Sequence, residues 1–140
     1  MDMLSRFLEF SEEEKLFTRS SRLLLAVSGG IDSMVMARLF GEAGIEHAIA
    51  HCNFSLRGDE SDGDEAFVAS QAREEGIPFF STRFDTLSYA GTHKVSVQMA
   101  ARELRYNWFS SLLRSGGYDA VAVAHNLNDN AETFLINLSR

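Results

Sequence analysis

Cysteine and proline are scarce in this 140-residue sequence, with one of each, Cys52 and Pro78. A lone thiol cannot build an intrachain disulfide framework and fits a reducing cytoplasm. One proline and ten glycines leave no room for a low-complexity linker, and no internal repeat is present. No apolar stretch is long enough to span a bilayer, and the N-terminus lacks the basic start and apolar run of a signal peptide. A basic excess is missing too. Net charge is −7; residues 1–70 hold 13 acids against 6 Lys and Arg, while residues 71–140 hold 7 of each. Non-specific binding of nucleic acid needs a basic surface, so an RNA substrate would have to meet a local basic patch or protein beyond these residues.

What is present suits one soluble globular domain, with 45% hydrophobic and 24% charged residues. Residues 2–20 read as a helical lead-in, with Ser11 before Glu12, Glu13 and Glu14. The apolar run Leu23–Val27 predicts a strand buried on both faces. Val35, Met36, Leu39, Phe40 and Ala43 then recur at helical spacing until Gly44. Residues 47–52 predict a second strand, Ser61–Glu75 a helix, Pro78–Phe84 a third strand, and Asp119–Ala124 a fourth. The longest helix is expected over Val95–Arg114, with an apolar stripe of Val97, Ala101, Leu104, Trp108 and Leu112. A final amphipathic helix is expected from Asn128 onward. It runs into the C-terminus without a stop signal, which reads as truncation. Alternating strands and helices predict an α/β three-layer sandwich on a parallel, Rossmann-like sheet.

Ligands of such sheets bind beyond the carboxyl ends of the strands. Three of the four predicted strands end in chemically able sequences: Ser28-Gly29-Gly30, His51-Cys52-Asn53, and His125-Asn126-Leu127-Asn128-Asp129. In Ser28-Gly29-Gly30-Ile31-Asp32-Ser33 the glycines allow a sharp turn and close backbone approach. Asp32 and Ser33 fall in the first helical turn, where free N–H groups attract phosphate. No G-x-x-x-x-G-K-[ST] loop and no G-x-G-x-x-G fingerprint occurs, which sets aside γ-phosphoryl transfer on a Walker loop and dinucleotide binding. His51 and Asn53 offer donors and acceptors beside the loop, and Arg57 offers a fork for phosphate or carboxylate. Most of the acidic run Asp59–Glu65 reads as a solvated helix start. Gln98, Arg102 and Arg105 share a helix face away from the apolar stripe, as a solvated face or an anion site. Asp129, Glu132 and Thr133 share a face of the last helix, where a carboxylate could cap the helix or hold Mg²⁺.

The hexapeptide Ser28–Ser33 resembles the PP-loop of ATP pyrophosphatases, which split ATP between the α and β phosphates. The segment His51–Ser61 with Asp64 resembles the H-x-N-x-x-L-R-G-x-x-S-x-x-D signature of tRNA(Ile)-lysidine synthetases. Gln98–Tyr106 is similar to that family's A-A-R-x-x-R-Y helix. His125–Thr133 is similar to its H-x-x-D-D-x-x-E-T, with Asn128 in place of the first Asp and Asp129 as the second. The resemblance runs from about Leu23 to Arg140. It implies a bacterial N-terminal PP-loop domain over residues 1–140, with the C-terminal tRNA-recognition domains absent. The implied reaction joins free L-lysine to C2 of the first anticodon cytidine of tRNA(Ile) with a CAU anticodon. ATP adenylates the C2 oxygen, and AMP and pyrophosphate are released. The resemblance implies ATP contacts from Ser28, Gly29, Gly30, Ile31, Asp32, Ser33, His51, Asn53 and Arg57. It implies catalytic roles for Asp32, Arg102 and Asp129, Mg²⁺ on Asp32 and Asp129, a cytoplasmic enzyme with no membrane partner, and room for a homodimer.

Three rival readings stand beside it. A tRNA thiolation enzyme of the same fold usually needs more than one cysteine. Amide or guanidine synthesis on a small molecule leaves the His51–Ser61 segment unexplained. A non-catalytic nucleotide-binding module leaves Asp129, Glu132 and the two helix arginines without a task.

Overall fold

The computed structural model describes residues 22–124 and 134–137, with the side chains of Ile31, Asp32, Ala124 and residues 134–137 outside that set. The chain order is β1 (Leu23–Ala26), α1 (Ile31–Ala43), β2 (His47–Asn53), α2 (Asp59–Glu75), β3 (Phe79–Arg83), α3 (Thr86–His93), α4 (Val97–Gly116), β4 (Ala120–Ala124) and β5 (Phe134–Asn137). The sheet order is β3-β2-β1-β4-β5. The first four strands are parallel, with Ala26 of β1 opposite Ala50 on one side and Val123 on the other. This confirms the expected α/β sandwich.

The reason lies in β1. Leu23, Leu24 and Leu25 are fully buried, alternating between two cores. Each such leucine contributes roughly 1.5–3 kcal/mol from burial. On one face, Leu23, Leu25 and Ile49 pack against Met36, Leu39 and Phe40 of α1 and Val68 and Ala72 of α2. On the other, Leu24, Ala48, Ala50 and Val121 pack against Phe109 and Leu113 of α4. Connections from β1 through β3 keep their helices on the first face; the return from β3 to β4 carries α4 on the second, with α3 packed against α4. Right-handed crossovers in two directions require that arrangement, and the direction changes between β1 and β4.

Four expectations need correction. The helix expected from Asn128 onward is not what the described part shows: Phe134–Asn137 is a strand, antiparallel to β4. The open edge of β4 presents unpaired N–H and C=O groups, and a run containing Phe134 and Ile136 has the β propensity to satisfy them. Helix α3 was not expected. Its N-cap is Asp85, whose carboxylate accepts from the Ser88 N–H at 3.2 Å, and Thr86 donates to the Phe54 carbonyl at 2.7 Å. Eight residues are too few for periodicity to announce a helix. Helix α4 starts at Val97 under a Ser96 cap, two residues later than expected, and runs on to Gly116. Its buried positions are Ala100, Phe109 and Leu113; of the expected stripe, Trp108 and Leu112 pack half-buried against the same core while Val97 is exposed, so the stripe is turned in part. The cause is a second neighbour: α4 packs on α3 as well as on the sheet. Helix α2 begins at Asp59 rather than Ser61. The lead-in over residues 2–20 lies outside the described residues. Among the described residues no helix is long and apolar enough to cross a membrane.

Candidate active site

The change of crossover direction opens a crevice at the carboxyl ends of β1 and β4, and the Ser28–Ser33 loop occupies the β1 side of it. Gly29 sits at φ +97°, a conformation that strains any residue with a Cβ. Gly30 is the N-cap of α1 in an extended conformation, and no side chain caps the helix. The first-turn N–H groups have no intrahelical partner, so they and the helix dipole remain for an anion. Two serines brace the turn from within. Ser33 is buried; its hydroxyl donates to the Gly30 carbonyl at 3.0 Å and accepts from the Ser28 N–H at 3.2 Å. The Gly30 N–H donates to the Ser28 hydroxyl at 3.2 Å, and the two hydroxyl oxygens are 3.3 Å apart. Ser33 is thus committed to loop shape, while Ser28 is exposed.

At the end of β2, alternate residues part company. His51 and Asn53 face the α1 and α2 side, both almost fully buried. The His51 Nδ1 lies 2.8 Å from the Val27 carbonyl. A carbonyl can only accept, so Nδ1 carries the proton and Nε2 is the nitrogen left for a ligand. Asn53 is fully used by the fold. Its amide donates to Asp62 at 2.9 Å and Glu65 at 3.0 Å, and its oxygen accepts from the Ser55 N–H at 2.9 Å. Cys52 points the other way, against Phe80, Trp108 and Leu112. Burial pushes its thiol up to about 12, with Arg105 pulling weakly in the opposite direction.

The acidic run is more engaged than a solvated helix start. Arg57 donates to Asp64 at 2.6 Å and lies 3.6 Å from Glu60. Arg83 of β3 pairs with Asp62 at 3.5 Å and Glu65 at 3.3 Å. Asp64 also reaches the glycine loop: a Cβ placed on Gly29 would lie 3.6 Å from its Oδ1. Arg57 itself leaves the turn between Ser55 at φ +57° and Gly58 at φ +56°, with its N–H donating to the Ser61 hydroxyl at 3.1 Å.

Gln98, Arg102 and Arg105 are exposed on the first half of α4, on the opposite face of the sheet from α1 and α2. Neither arginine forms an ion pair among the described residues, and none of them links Arg102 to the glycine loop. The Ile31 and Asp32 side chains, and all of His125–Thr133 including Asp129 and Glu132, lie outside the described residues. Among the described residues no group of three His, Cys, Asp or Glu side chains is placed to hold a metal. A cleft of about 930 Å³ between α1 and α2 meets the loop at Gly29, among the described residues, and runs past Val35 and Phe67 to Ile77. It is an interhelical groove leading away from the strand ends.

Comparison with known proteins agrees with this geometry. A PP-loop domain family model matches residues 2–140. Over 135 residues the chain is 45% identical to a tRNA(Ile)-lysidine synthase of Bacteroides thetaiotaomicron, covering 96% of this chain and 32% of that protein. It is 49% identical over 129 residues to the one from Porphyromonas gingivalis, covering 91% and 28%. The chain therefore spans about a third of the length of these curated relatives. Among solved structures it resembles the U34-tRNA thiolase NcsA of Methanococcus maripaludis, with a TM-score of 0.65 and 22% identity over 90% of this chain and 47% of that one. It also resembles an NH3-dependent NAD synthetase of Campylobacter jejuni, with a TM-score of 0.60 and 14% identity over 86% and 56%. At these identities the two structures speak for the fold alone. With its glycine loop at the switch of the sheet and a family match across nearly its whole length, the chain belongs to the PP-loop domain family.

Proposed function

We propose that this chain is the ATP-binding, adenylating domain of a cytoplasmic tRNA(Ile)-lysidine synthase. The observation that carries the reading is its 45–49% identity, over more than nine-tenths of its length, to relatives of that name. The loop geometry supports the ATP part, since an uncapped helix N-terminus behind a glycine turn is suited to phosphate. ATP would lie with its phosphates on Ser28–Ser33. The C2 oxygen of the anticodon cytidine attacks the α-phosphorus; the new P–O bond replaces the bond to pyrophosphate, which leaves. The ε-amine of free L-lysine then attacks C2. The C–N bond forms, the C–O bond breaks, AMP departs, and the amine loses a proton to a base.

Within this scheme the Gly29 and Gly30 backbone and the first-turn N–H groups hold the phosphates. The Nε2 of His51 and the Ser28 hydroxyl face the nucleotide. Arg57 and Arg102 offset phosphate charge. Asp32 and Asp129 would hold Mg²⁺, for which carboxylate plus phosphate oxygens are the suited donors; the metal would neutralise charge on the departing pyrophosphate. The tRNA(Ile) with its CAU anticodon and free L-lysine are the substrates. Sulfur transfer through this chain's own thiol is disfavoured, because Cys52 packs beneath α4 with its ionisation pushed up to about 12.

The test is pyrophosphate release by the full-length protein that carries this chain, given ATP, lysine and tRNA(Ile). Release requiring both lysine and this tRNA is expected. Release that instead requires a sulfur donor would assign the domain to thiolation.

A further inference from the structure

Between the glycine loop and α2 lies a pair of charges that the scheme above uses only by half. Arg57 is a candidate phosphate ligand. Asp64 belongs to the stretch that reads as a solvated acidic helix start, yet one observation ties it to Arg57 and a second places it at the loop. It accepts from Arg57 at 2.6 Å, and its carboxylate would touch a Cβ on Gly29. Building on the ATP-binding reading, we propose that Asp64 is a positioning residue that holds the Arg57 guanidinium over the Ser28–Ser33 loop, aimed at the β and γ phosphates of ATP.

The argument is one of preorganisation. Arg57 is well exposed, with 61% of its side chain accessible. A free arginine of that kind samples many rotamers and loses that freedom when a ligand fixes it. The contact at 2.6 Å removes part of that freedom before ATP arrives. It occupies Nη2 on one side of the fork and leaves other N–H donors for phosphate oxygens. The backbone is prepared as well: the Arg57 N–H is tied to Ser61, between two residues of positive φ. Glu60, the second acid near Arg57, is 3.6 Å away and more exposed, too loose to do the same. Asp64 also carries a like charge toward the phosphates, so its two influences oppose each other. Positioning dominates as long as Arg57 neutralises it.

The full-length protein that carries this chain is titrated with ATP, pyrophosphate and AMP by calorimetry. Asp64→Asn is expected to weaken ATP and pyrophosphate roughly tenfold, the loss of one charge-assisted contact, and to leave AMP within about twofold. Arg57→Ala should show the same selectivity, and the double variant should be no worse than Arg57→Ala. Glu60→Gln should leave all three ligands unchanged. Arg57→Lys, at an exposed position where folding is secure, should lose pyrophosphate affinity because the charge remains and the fork does not. Equal losses for ATP and AMP, additive losses in the double variant, or tighter ATP binding in Asp64→Asn would each overturn the inference. So would full pyrophosphate affinity in Arg57→Lys. A wild-type full-length protein with no affinity for ATP overturns the ATP-binding reading and this inference with it, whereas normal wild-type binding with an unaffected Asp64→Asn sinks the inference alone.

Discussion

The two faces of the sheet treat charge in opposite ways. On the α1 and α2 side, Asn53, Asp62, Glu65 and Arg83 form one set of hydrogen bonds and ion pairs around the end of β2, and Arg57 with Asp64 forms a second. On the α4 side, Arg102 and Arg105 stand exposed with no ion pair among the described residues, near exposed Met99 and Tyr106. The paired face keeps the glycine loop and the β2 turn in shape. The unpaired one leaves cations available, as an anionic substrate requires. Charge that is already satisfied supports geometry; what a ligand can use is charge left open, on Arg102 and Arg105 and on the free donors of the Arg57 fork.

Cys52 gives the sharpest measure of that division, because it lies between His51 and Asn53 yet faces α4. With its thiol pushed up to about 12, alkylation at pH 8 should run about a thousandfold slower than for a free cysteine. Iodoacetamide kinetics on the native chain would show it, and reaction at the free-thiol rate would place Cys52 in solvent. The sign for stability follows. Below the ordinary value of 9.0 both states keep the proton and nothing changes; above it the unfolded chain releases the proton that the native chain retains. Stability should therefore fall as pH rises from about 9 toward 12.

Asn53→Ala comes next in size. It removes a buried amide that serves two carboxylates and one backbone N–H, at a cost of about 1–3 kcal/mol in denaturant unfolding. Smallest is Arg102→Ala, which should change stability by no more than about 0.5 kcal/mol while lowering pyrophosphate release by the full-length protein. A large loss of stability there would show that α4's cations are structural after all, and would erase the contrast between the faces.

Much of the fold was legible because its signals are local. The leucines of β1, the glycine turn and Gly44 at φ +71° are each readable within a few residues, and so are four parallel strands separated by helices. Helix α3 was not, because its eight residues depend on an Asp85 cap and on Thr86 bonded to Phe54, 32 positions away. The α4 stripe was legible only in part, at Trp108 and Leu112, because two neighbours share that helix. The candidate site divides in the same manner. Ser28–Ser33 announced itself, yet nothing in the sequence tells that Ser33 braces the loop while Ser28 stays exposed. Asn53, expected at the nucleotide, has its amide committed inside the protein.

By itself, then, the sequence determined that a buried strand runs through two glycines into a helix, since hydrophobic run, turn and helix start are short-range properties. It also determined which residue types stand at the strand ends. Only the tertiary structure decided which of those residues meet. Asp64 reaches Gly29 across 35 positions, Arg83 reaches Glu65 across 18, and residues 134–137 pair with β4 as a strand. Those outcomes depend on how helices cross the sheet and which strand edge is left unpaired. A pattern along the chain encodes propensity, but the partner for each polar group is chosen by packing.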